Sequence, residues 1–139
     1  MPTLLHTVVL ETKEYYQKAS SYIGNYQLRH IMVQLIEERL YLIRTIDMAL
    51  ALNPEEINAI DTPNLYQPIL RIINDAQKKS ISSEEEHEIF SSIIKCEKET
   101  LKLVKTLLLK TQQQALRNLL SSLAASIQIS LDKLEQLHI

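Results

Sequence analysis

The stretch YQLRHIMVQLIEERLYLIRTIDMALAL, residues 26–52, decides the fold. Leu28, Ile31, Leu35, Leu42, Ile46 and Ala49 recur along it at helical spacing, and neither glycine nor proline interrupts the run. One long amphipathic helix is the reading. Arg39 falls at the centre of its apolar stripe, among Leu28, Met32, Leu35, Leu42, Ile43 and Ile46. Glu38 lies on the flank of that stripe, and Glu37 faces away from it.

Working back from this helix, Thr3 can cap an earlier one whose apolar positions are Leu4, Val8, Tyr15, Ala19 and Tyr22. Gly24-Asn25 should stop it with a left-handed residue. Working forward, Asn53-Pro54-Glu55-Glu56 reads as a cap, a proline at the first helical position and two acids facing the dipole. This short helix halts before Pro63. Leu65, Ile69, Ile72, Ile73 and Ala76 mark another amphipathic piece, in which Pro68 is tolerable only near the first turn. Ser80 to Ser83 breaks it, and Ser83 with Glu86 has capping-box spacing for a third long helix reaching Lys110. A fourth, from Gln112 to Leu137, carries Leu116, Leu120, Leu123, Ile127, Leu131 and Leu134. A single helix from Ser83 to Leu137 would be roughly 80 Å long at 1.5 Å per residue, too long for a domain of this size. A break is therefore required, and Thr111 is the available cap.

The expectation is one all-α domain over residues 1–139, a four-helix bundle of two long hairpins. A long crossover containing short helices joins them, so that the second and third long helices run parallel. Composition agrees. The chain has 139 residues, 45% of them hydrophobic and 23% charged, with a single glycine. That glycine count excludes a turn-rich β fold and the glycine loops that cradle phosphates. A net charge of −2 gives no overall electrostatic case for nucleic acid or an anionic membrane. Lys95, Lys98, Lys102 and Lys105 form a basic edge, but acids interleave and no aromatic platform accompanies them. One cysteine, Cys96, cannot make an internal disulfide, and no basic-flanked leader or membrane-length apolar run is present. These features predict a cytoplasmic chain.

Two charges stand in apolar stripes. Glu97 is central among Phe90, Ile93, Ile94, Leu101, Val104 and Leu108, as Arg39 is in the second helix. Both are mid-helix, so they could meet at similar depth, with Tyr15 and Glu11 of the first helix satisfying the remaining donors. A guanidinium–carboxylate fork that fixes helix register is the structural reading of this buried polar network of Glu97, Arg39, Glu11, Glu38 and Tyr15. A polar pocket for a metal or small ligand is the sharper alternative. Glu84 and His87 have Glu-x-x-His spacing but sit off their stripe in a first turn, and His6, His30 and His138 are scattered singly. No nucleophile motif surrounds any serine, so no catalytic residue is assigned.

Three segments carry a resemblance: Leu10-Glu11-Thr12-Lys13-Glu14-Tyr15-Tyr16-Gln17-Lys18-Ala19, Glu37-Glu38-Arg39-Leu40-Tyr41 and Ile93-Ile94-Lys95-Cys96-Glu97-Lys98-Glu99. With them, the chain resembles a group of bacterial ferritin-like four-helix-bundle proteins of unknown function. The resemblance implies a ferritin-like bundle. Metal-binding members of that superfamily use a glutamate from each of two helices and a Glu-x-x-His from each of the other two. Glu11 and Glu97 match the first kind of position. Glu38 is followed three residues later by Tyr41, and the segment Ser126 to Ser130 holds neither glutamate nor histidine. The expectation is thus a non-enzymatic bundle with no cofactor, acting through a protein partner or as a homodimer. The alternative is a carboxylate-bridged di-iron or other metal protein using Glu11, Glu38, Glu97 and solvent. Apolar residues off the main stripes are the candidate contact surface: Val9, Ile23, Val33, Leu40, Tyr41, Leu103, Leu107 and Leu109.

Overall fold

A computed structural model describes residues 4–52, 54–55, 63–78 and 86–137. Five helices of three turns or more account for nearly all of them: α1 Leu4–Ser20, α2 Tyr26–Leu52, α3 Pro63–Lys78, α4 Glu86–Lys110 and α5 Gln114–Glu135. No strand occurs among the described residues. The short helix expected to start at Asn53-Pro54 and halt before Pro63, of which residues 54–55 are described, the break at 80–83 and the Ser83 cap fall largely or wholly outside this set.

The helices pair as two hairpins, α1 with α2 and α4 with α5, and α2 also packs on α5. A small internal cavity fixes their directions. Its walls include Val8 and Val9 near the start of α1, Ile46 in the second half of α2, Leu107 near the end of α4 and Leu116 near the start of α5. So α1 and α5 begin at the end of the bundle where α2 and α4 finish, and α2 runs parallel to α4. The α3 helix packs on both α1 and α4. It buries Tyr66, Ile69 and Ile73, spaced three and four apart on one face. Pro68 is its sixth residue, deeper than expected, and costs the helix one internal hydrogen bond.

The turns differ from the sequence reading in instructive ways. Neither Gly24 nor any other described residue takes a positive φ. Instead α1 tightens at its end, with Tyr22 N–H donating to Ala19 C=O at 3.0 Å and Ile23 N–H to Ser20 C=O at 3.3 Å. Asn25 then caps α2, its Oδ1 accepting from Leu28 N–H at 2.9 Å, while its own N–H donates to Glu86 Oε1 at 2.8 Å. Glu86 therefore ties the start of α4 to the first turn of the molecule.

The break at residues 111–113 is present, but Thr111 does not cap α5. Its hydroxyl donates to Leu107 C=O at 2.7 Å, and the α5 cap position, Gln113, makes no side-chain cap bond. Arg117 closes the corner by reaching back across it, donating to Leu108 C=O at 2.7 Å and Thr111 C=O at 2.9 Å. Carbonyls left over at the end of α4 are thus satisfied by a cation, which also suits the helix dipole. Arg117→Ala should cost about 1–2 kcal/mol in urea unfolding, since hydrogen bonds to a charged group are the stronger kind. A change below about 0.3 kcal/mol would mean that water replaces the guanidinium at no cost.

Burial also corrects the surface expected from sequence. Val9, Ile23, Leu103 and Leu107 are buried, and Val9, Leu103 and Leu107 face the internal cavity. Tyr22, expected in the apolar stripe, is exposed. Helices α1 and α4 each bury a wider arc than a two-sided packing requires, because α3 covers them as well.

Candidate functional site

The centre of the bundle is polar. Arg39 of α2 and Glu97 of α4 are both fully buried, and Arg39 Nη2 donates to Glu97 Oε1. The same oxygen accepts the Tyr16 hydroxyl of α1 at 2.7 Å. The Arg39 guanidinium carbon also lies 5.6 Å from the centre of the Tyr16 ring, within cation–π range. Three helices are therefore pinned at one point. The fourth joins through Glu38, whose Oε1 accepts from Ser126 at 2.7 Å and from Ser130 at 3.1 Å on α5. Glu38 Oε2 stands 4.0 Å from Arg39 Nη1, so the guanidinium lies between two carboxylates.

Of the residues expected in this network, Arg39, Glu97 and Glu38 come together. Tyr15 and Glu11 do not join them. Their neighbour Tyr16 takes the tyrosine role, a one-residue difference of helix phase. Tyr15 is buried too, its ring centre 5.8 Å from that of Tyr16, but its hydroxyl bonds with Ser92. Glu11 stays half-buried on the flank of α1. In the sequence, Ser130 stands out as the one polar interruption of the last helix's apolar stripe, and Ser126 only as part of the segment where a metal ligand is missing. Their spacing of four, which stacks two hydroxyls on one helix face, is the signal that could have identified a carboxylate partner.

Electrostatics follow from burial. Burial lowers the affinity of the Arg39 guanidinium for its proton, but the facing groups Glu97, Tyr16, Cys96 and Glu38 more than restore it, so Arg39 remains charged. Burial raises the Glu97 carboxyl above the usual carboxylate range, with Arg39 and the Tyr16 hydroxyl pulling against it. Tyr16 is pushed well above an ordinary phenol, by burial first and then by Cys96 and Glu97. Burial and the Glu97 charge push the Cys96 thiol up to about 11, so it is a packed thiol with little thiolate character near neutral pH.

A di-metal centre does not fit these residues. One oxygen of Glu97 is committed to Arg39 and Tyr16, and one oxygen of Glu38 to the two serines. The space between the two carboxylates holds a permanent cation, the guanidinium. Among the described residues no three Asp, Glu, His or Cys side chains group as a metal site. The adjoining cavity, about 20 Å³, is lined mostly by apolar side chains, with Arg39, Thr12, Thr45 and Thr100 among them, and has room for about one water molecule.

Two outer features complete the picture. An open groove of about 560 Å³ runs between α2 and α5, with Glu38 among its lining residues and Tyr41 and Ile129 exposed along it. On α2 itself, Tyr26, Val33, Leu40, Tyr41, Met48 and Leu52 are all exposed apolar or aromatic residues. At 100° per residue they fall within one arc of about 120°, opposite the stripe that faces the core. No family model, no curated protein and no solved structure matches the chain. No described helix is long and apolar enough to cross a membrane.

Proposed function

We propose that this chain is a non-enzymatic, cytoplasmic, ferritin-like helical bundle that works through protein contacts made by the outer face of α2. The observation that carries the reading is the second apolar stripe on α2, with Val33 at 53%, Tyr41 at 55% and Met48 at 63% exposure. Scattered apolar residues are ordinary on a protein surface; six exposed ones sharing one arc of a helix, with Glu37 and Arg44 between them, support an interaction face. The interior supports the same reading. Its charged groups, Glu38 and Arg39 of α2 and Glu97 of α4, are tied to one another and to hydroxyls of α1 and α5, which favours a core that fixes helix register.

Size-exclusion chromatography with light scattering tests this. The mass should exceed the 16.1 kDa of one chain and rise with concentration. Val33→Asp with Met48→Asp should return it to one chain without loss of helix. A wild-type protein that stays monomeric at every attainable concentration would overturn the reading. Iron and manganese measured on protein from supplemented cells should fall well below one equivalent per chain.

A further inference from the structure

The exposed stripe of α2 carries a charge pattern as well as an apolar one. Glu37 and Arg44 both lie on it, seven residues apart and both exposed, and neither makes an ion pair with another described residue. They are placed symmetrically about the Leu40–Tyr41 peptide. Building on the protein-contact reading above, we propose that the partner is a second copy of this chain, docked through α2 in an antiparallel, two-fold arrangement centred on Leu40 and Tyr41.

The register follows from the sequence of the stripe. An antiparallel pair centred between residues 40 and 41 sets Leu40 level with the partner's Tyr41 and Val33 level with the partner's Met48, Leu40 and its own copy lining one edge of the contact and Tyr41 and its own copy the other. It also sets Glu37 against the partner's Arg44, twice by symmetry. Between residues 33 and 48 apolar levels coincide with apolar ones and acid with base, while Leu52 falls level with the partner's Arg29 and Tyr26 lies beyond the overlap of the two helices. A parallel in-register pair would set Glu37 against its own copy and Arg44 against its own copy, which is repulsive at both points. The two-fold interface is self-complementary, as a closed dimer requires.

In this register residues 29–52 overlap their own copies, about 36 Å of helix and about 10 Å wide, which is smaller than the ~800 Å² per partner of a standard interface and fits a reversible, concentration-dependent dimer. Among the described residues α1 and α5 are the helices that pack chiefly on α2, and the six stripe residues are exposed, whereas α3 covers the α1–α4 side. A hydrophobic strip with one ion pair on either side of the centre also sets direction, because the charges penalise the reversed pairing.

Charge reversal tests the arrangement at exposed positions, where folding is not at stake. Glu37→Arg alone sets two guanidinium groups face to face, the introduced one and that of the partner's Arg44. Arg44→Glu alone sets two acids together. Each should weaken dimerisation about tenfold or more, read by light scattering or sedimentation across a concentration series. An equimolar mixture of the two single variants should form a heterodimer, since every facing pair is then opposite in sign. The double variant Glu37→Arg with Arg44→Glu should recover the wild-type homodimer. If the wild type dimerises but both single variants keep its dissociation constant, the antiparallel register is wrong while the contact surface of α2 stands. If the wild type does not associate at all, the underlying reading fails too.

Discussion

Glu97→Leu is expected to destabilise the folded chain by about 3–5 kcal/mol in urea unfolding, because it leaves the Arg39 guanidinium buried without its principal partner. Arg39→Met should do comparable damage for the mirror reason. The double variant should recover most of the loss, since well-packed apolar residues commonly match a buried ion pair. The structure adds a third member to the cycle. Tyr16 also donates to Glu97 Oε1, so the double variant still strands a buried hydroxyl. Such an orphan costs about 1–3 kcal/mol, and adding Tyr16→Phe should remove that cost. The order of effects is therefore single variants worst, double intermediate, triple close to wild type. The coupling term between Arg39 and Glu97 isolates the pair from its surroundings. Single variants costing less than about 1 kcal/mol each, with the double merely additive, would show that the pair does not hold the helices in register.

Why the pair is visible in the sequence while its third partner is not is a matter of geometry. A charge in the middle of an apolar stripe is conspicuous, and two such charges at mid-helix on different helices suggest each other. Tyrosine carries no such flag. Tyr15 and Tyr16 are adjacent, 100° apart on the helix, and both are compatible with a buried face. Both are buried, so burial does not decide between them; the phase of α1 does, setting Tyr16 against Glu97 and Tyr15 against Ser92. Val9 departs from the sequence reading for a related reason: it faces the cavity between the helices, although a narrow two-sided stripe would leave it outside.

The corner between α4 and α5 is legible as a necessity of length. Its chemistry is not, since Arg117 acts from within the following helix on carbonyls six and nine residues earlier. Neighbour-by-neighbour capping rules do not reach that far. The outer stripe of α2 is half legible. Val33, Leu40 and Tyr41 stand off the main stripe, but their continuity with Tyr26, Met48 and Leu52 emerges only when the flanking helices show which arc stays uncovered.

The α3 helix offers the second large expected effect, and it decides whether the bundle has four structural helices or five. Read from sequence, Leu65, Ile69, Ile72, Ile73 and Ala76 make an amphipathic piece within the crossover, with nothing to say what it packs against. In the structure the helix lies on both α1 and α4, with Ile73 fully buried and its neighbour Ile72 only partly so. Ile73→Ala removes three buried carbons from a packed face and should cost about 2–5 kcal/mol, the range for aliphatic truncation in a core that cannot collapse around the gap. Ile72→Ala, one residue along and at the rim, should cost well under half as much. The contrast between them controls for helix propensity, since both exchange isoleucine for alanine within the same helix. A crossover resting loosely on the bundle would give two small, equal losses. A helix built into the core gives one large loss and one small, and amide exchange in α1 and α4 should rise with Ile73→Ala because the cover over both is loosened.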